Sequence, residues 1–192
     1  MTHDMPTPQL EKPQYLNRPD GLKIAYHHTP GKQSDTQAAN SRTLKMPGVM
    51  FLGGFMSDMT GTKATHLEEH CIRQGLGYTR FDYGGHGQSS GKFADGTIGQ
   101  WAADAIAVLD EITTGPQILV GSSMGGWIML LVALARPERV AGLVGIAAAP
   151  DFTEDLMWAQ FSEDQKKTIM EDGALIEPTD YGDDPYTITR NL

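Results

Sequence analysis

The chain has 192 residues, 40% of them hydrophobic and 20% charged, with a formal net charge of -9. That is the composition of one globular domain with a sizeable core. It disfavours nucleic acid and anionic membrane surfaces as partners, because both call for clustered Lys and Arg. No apolar run reaches the roughly 20 residues of a membrane-crossing helix.

The first 13 residues are polar and Pro-rich and read as a loose segment. They contain no apolar stretch like that of a secretory signal and carry acidic residues, unlike a transit peptide. From Gly21, "GLKIAYHHT" reads as a strand, and "PGKQSDTQAANSR" as a loop or hairpin tip. "GVMFLGG" (residues 48–54) is a short, continuous apolar run stopped by glycines, the pattern of a strand buried on both faces. "TKATHLEEHCIRQG" then reads as a helix, with Ala64, Leu67 and Cys71 at helical spacing and Gly75 as its stop. Cys71, the single cysteine, has no partner for an internal disulfide. It fits a reducing, cytoplasmic setting and reads as a small core residue rather than a nucleophile.

"YTRFDY" is the next strand, and the Gly-rich loop "GGHGQSSG" follows it. Ile98, Trp101, Ala102, Ala105, Ile106, Leu109 and Ile112 then keep one apolar helical face. "QILVGS" is a strand, "MGGWIMLLVALARPE" an apolar helix, and "VAGLVGIAAAP" another buried strand. The alternation predicts an α/β fold, a mostly parallel sheet with helices on both faces. The core spans residues 14–150. Residues 151–192 change character into an acidic, helical segment that can act as a cap or lid, or lie as solvated helices.

The chemistry concentrates in Gly121-Ser122-Ser123-Met124-Gly125, between a strand and a helix. A Gly-x-Ser-x-Gly turn is so sharp that bulky neighbours would clash, and it lifts the central serine above the sheet's C-terminal edge. Ser123 is the candidate nucleophile. Ser122 is not, because its flanking positions are Val120 and Met124. The backbone N–H of Met124 faces the same side and can stabilise an oxyanion. The second donor is expected from "GGFMSDMTG", through the N–H of Phe55. Ser57 and Asp58 read as caps of the following helix more readily than as substrate contacts. His86 tempts as a base but fits a structural histidine in a tight turn better. His66 and His70 read as a helix surface, and neither metal nor cofactor is expected.

Taken together, "GGFMSDMTGTKATHLEEHC", "RFDYGGHGQSSG" and "GPQILVGSSMGGW" resemble the α/β-hydrolase superfamily. More narrowly, they resemble bacterial relatives of the mitochondrial α/β-hydrolase domain-containing protein ten, a group of acyl-protein thioesterases and acyl-glucuronide esterases. The resemblance runs from about Gly21 to Pro150. It implies a serine hydrolase of carboxylic esters or thioesters, with Ser123 as nucleophile, Phe55 and Met124 as oxyanion donors, and a small-molecule or acylated substrate. The superfamily orders its triad serine, acid, histidine. All six histidines here precede Ser123. The expectation is therefore an N-terminal part of such an enzyme, lacking the C-terminal strands that carry the acid and the base. The alternative is a catalytically silent binding module on the same fold, and a haloperoxidase-like or acyltransferase use of the elbow is a third reading.

Overall fold

A computed structural model describes residues 12–32, 46–178 and 185–192. Most of the expected loose segment at 1–13, and most of the loop after Thr29, lie outside the described residues. Among the described residues, six strands form the main sheet, in the order β1-β2-β4-β3-β5-β6. They are β1 (Gln14–Asn17), β2 (Lys23–Thr29), β3 (Gly48–Leu52), β4 (Tyr78–Phe81), β5 (Gln117–Ser122) and β6 (Val140–Ile146). β3 to β6 run parallel, whereas β2 is antiparallel to both β1 and β4. Three helices connect the parallel strands: α1 (Thr62–Gln74), α2 (Ile98–Glu111) and α3 (Met124–Ala135).

Strand alternation sorts the core into two layers. Val49, Phe51, Tyr78 and Val120 pack with Ala64 and Cys71 of α1 on one face. Met50, Leu52, Phe81 and Leu119 pack with Trp101, Ala105, Val108 and Leu109 of α2 and Ile128, Met129 and Val132 of α3 on the other. Cys71 is thus a buried free thiol, in line with its reading as a core residue. Gly75 ends α1 in the left-handed conformation, as its position predicts.

The strand order reverses at β3. β4 lies on one side of it and β5 on the other, and the helices that follow β3 and β5 go to opposite faces. The chain therefore leaves β3 and β5 for opposite faces at the C-terminal edge, the place where open α/β sheets bind ligands.

Three features differ from the expectations. β1 is a strand with a single buried residue, Leu16, too short for its alternation to show in the sequence. β6 is apolar throughout but not buried. It pairs only with β5 among the described residues, and Leu143, Val144 and Ile146 are 42%, 48% and 37% exposed. A continuous apolar run reports an affinity for burial on both faces, but the cover must come from neighbours. The segment after 150 is also not purely helical. Its helix α4 (Glu163–Asp172), closed by a Ser162/Gln165 capping box, is followed by an antiparallel pair, β7 (Ala174–Glu177) and β8 (Tyr186–Thr189).

Exposed on both faces and bonded along one edge, β6 is a template for further strand pairing. The 192-residue chain is expected to self-associate in sedimentation velocity despite its net charge of -9. Val144→Lys, which sets a cation on the exposed strand, is expected to return a monomer with little change in unfolding midpoint. A wild-type chain that stays monomeric at every concentration would show the edge to be protected.

Candidate active site

Ser123 sits between β5 and α3 with φ 53° and ψ -118°, a conformation that L-residues rarely adopt. Backbone hydrogen bonds on both sides of the residue hold it there. Its N–H donates to Ile146 O (3.0 Å), and its carbonyl accepts from Gly126 N–H (2.8 Å) and Ala149 N–H (3.1 Å). The loop leaving β6 is thus part of the turn's support. The side chain of Ser123 is exposed, whereas Ser122 is 4% exposed.

The two glycines are dictated by close approach. A Cβ on Gly121 would overlap the Gly125 carbonyl, and one on Gly125 would overlap the carbonyl oxygens of Leu52 and Gly53. The first turn of α3 therefore lies against the end of β3, and this brings the β3 loop beside the serine. A Cβ on Gly54 would stand 3.5 Å from Ser123 Cβ. Residues 54–57 form a turn closed by Ser57 N–H to Gly54 O (3.3 Å), and the Ser57 hydroxyl donates to the same carbonyl at 2.9 Å. Met56, third in this turn, has φ 53°. The N–H of Phe55, second in it, takes no part in the turn's own hydrogen bond. Met124 N–H is the first of α3 and has no partner within the helix. The structure thus brings Ser123, Met124 and the Phe55 loop together at one edge.

Ser57 and Asp58 do not cap α1. Its N-cap is Gly61, without a side-chain bond. Ser57 is spent on the 54–57 turn, and Asp58 accepts from Thr60 N–H at 2.7 Å in a turn of its own. His66 donates from Nδ1 to Thr62 O (2.9 Å) on an exposed face of the helix. His86 is 3% exposed and enclosed edge-on by Tyr83, Phe93 and Trp101, with ring centroids 5.5, 5.0 and 5.0 Å away. Burial pushes its pKa down to about 4, against a hydrogen bond to Gly84 O that raises it. This is the structural histidine the sequence favoured.

The sequence reading missed several supports. Asp82, after β4, is buried and accepts from Met59 N–H (2.6 Å) and Gln88 N–H (2.8 Å), tying the β3 and β4 loops together. An acid placed between a strand end and a Gly-rich loop was the available signal. Asp104 of α2 accepts from Gly84 N–H (2.9 Å) and faces Arg18 (3.4 Å). Phe55 meets four rings edge-on: Phe93, Trp101, Phe152 and Tyr186 at 4.9, 6.1, 5.7 and 5.6 Å. The last two come from the segment after 150, a long-range contact with no local pattern.

Comparison with known proteins agrees with this fold. A family model described as "Serine aminopeptidase, S33" matches residues 49–180. An Agrobacterium vitis S4 protein superposes with a TM-score of 0.83 at 36% identity, over 94% of this chain and 69% of that one. The chain belongs to the α/β-hydrolase family. The mouse α/β-hydrolase domain-containing protein 10 superposes with a TM-score of 0.76 at 38% identity, over 91% of this chain and 66% of that one. The human protein named palmitoyl-protein thioesterase ABHD10, mitochondrial, is 40% identical over 170 residues, 88% of this chain and 51% of its own length. The chain spans about half the length of the curated relatives it matches.

Asp104 and His86 make opposed contributions to pH dependence. Burial raises the Asp104 pKa from 3.8 to about 6. The folded state therefore holds that proton more tightly, and stability from this group falls as pH rises through the interval. His86 is lowered from 6.5 to about 4, so its contribution rises with pH. Asp104→Asn keeps an acceptor for Gly84 N–H and removes the falling component. Its stability relative to wild type is expected to climb between pH 4 and 6, by up to ~1.4 kcal/mol per pH unit. Urea unfolding of both proteins at pH 4.5 and 6 checks this. A constant difference would mean that Asp104 keeps an ordinary pKa.

Proposed function

We propose that the chain carries the nucleophile of a serine hydrolase of carboxylic esters or thioesters, acting through an acyl-enzyme at Ser123. The observation that supports this most directly is the positive-φ serine between β5 and α3, with the Phe55 loop drawn against it by the Gly125 contact. In this reading the Ser123 Oγ attacks the acyl carbonyl. The N–H groups of Met124 and Phe55 receive the developing oxyanion, and the alcohol or thiol leaves before water releases the acid. The thioesterase name carried by the human and mouse relatives makes an acylated substrate the favoured class. No helix among the described residues is long and apolar enough to cross a membrane. A reducing compartment suits the buried free Cys71. Cytoplasmic location is our reading from that thiol, although the thioesterase relatives are named mitochondrial.

Ser123 needs a base, and no histidine follows it among the 192 residues. His86 is sealed by its aromatic neighbours and too weakly basic to serve. In this reading the acid and the histidine come from outside these 192 residues. A silent binding module is the second reading, favoured for this chain alone by the same missing base.

In the whole enzyme, Ser123→Ala is expected to lower kcat/KM for p-nitrophenyl butyrate and an S-acyl thioester by at least ~10⁴-fold. A variant that keeps a tenth of the activity sinks the nucleophile assignment. In the 192-residue chain, a fluorophosphonate is expected to react over hours rather than minutes and not at all after Ser123→Ala. Labelling within minutes would show that a base is at hand after all.

A further inference from the structure

The Phe55 loop is held less by its own turn than by what its ring touches. The turn at 54–57 contains Met56 at φ 53°, a strained conformation that persists only where the surroundings impose it. Among the described residues, Met56 joins neither core cluster. The Phe55 ring is the anchor. Phe93 and Trp101, from the region between β4 and α2 and from α2 itself, grip it from one part of the chain. Phe152, after β6, and Tyr186, at the start of β8, grip it from another. Phe152 also packs edge-on against Trp127 of α3, 6.0 Å away, one helical turn beyond Ser123.

We infer that Tyr186, acting with Phe152, is a positioning residue. Through the Phe55 ring, these two residues fix the backbone N–H of Phe55 beside Ser123. The segment then serves the site by setting the oxyanion loop. The catalytic consequence rests on Phe55 as oxyanion donor, whereas the structural coupling does not. No hydrogen bond is seen for the Tyr186 hydroxyl among the described residues. The ring is the part that meets Phe55, 5.6 Å away, and phenylalanine keeps it.

Amide hydrogen exchange of the 192-residue chain, read by mass spectrometry on peptides spanning 53–57, tests the coupling. Tyr186→Ala is expected to speed exchange there about tenfold while peptides of β3 and β5 keep their rates, and Tyr186→Phe to behave as wild type. Unchanged exchange at 53–57, or an equal rise across the whole sheet, overturns the inference. In the whole enzyme, Tyr186→Ala is expected to lower kcat about tenfold at unchanged KM, with recovery in Tyr186→Phe. A raised KM at unchanged kcat would make Tyr186 a wall of the binding site and overturn the positioning role. If exchange responds as expected but Ser123→Ala leaves hydrolysis intact, the proposed function has failed and the coupling stands.

Discussion

Everything at the candidate site depends on how closely α3 lies against the end of β3. Gly125 has no side chain at the point where the helix meets the carbonyls of Leu52 and Gly53. A single methyl group there would push the helix off the sheet. Ser123 would move with α3, and Gly54 and Phe55 would lose their place beside it. The contact joins two segments separated by some seventy residues into one constellation, which neither strand could form alone.

The backbone at this edge is under strain, and the strain is shared. Four non-glycine residues have positive φ among those described: Met56, Ser123, Ala147 and Asp151. All lie in loops that leave the C-terminal ends of β3, β5 and β6. Each conformation costs about 1–3 kcal/mol, so the surrounding contacts must over-determine it. For Ser123 those contacts are the bonds to Ile146, Gly126 and Ala149; for Met56 they are the hydroxyl of Ser57 and the rings around Phe55. Strain concentrated at one edge is one way for a site to have its geometry set before a ligand arrives.

The sheet strands β3 and β5, the helices α1 to α3 and the Ser123 turn were legible because their signals are local. They rest on apolar runs stopped by glycine, on a 3.6-residue period, and on a Gly-x-Ser-x-Gly spacing whose steric reason is contained in five residues. β6 shows the limit. "VAGLVGI" states how the strand would be best buried, but its neighbours are named elsewhere in the chain or not at all. The β7–β8 pair was illegible for a related reason, since "ALIE" and "YTIT" are four residues each and gain meaning only by pairing. Asp58 and Ser57 were misread because a Ser-Asp pair before a helix fits a cap as well as it fits a turn. The grip of Phe152 and Tyr186 on Phe55 left no trace in the pattern, because an aromatic residue in an acidic segment announces burial without saying against what.

The central claim is that Ser123, Met124 and Phe55 form one oxyanion-binding constellation. A crystal structure of the Ser123 adduct with an alkyl fluorophosphonate tests it most directly, since the phosphonyl oxygen stands where the oxyanion would form. That oxygen is expected about 2.7–3.1 Å from both the Met124 and the Phe55 N–H. A phosphonyl oxygen turned to solvent, or an adduct on another residue, would contradict it.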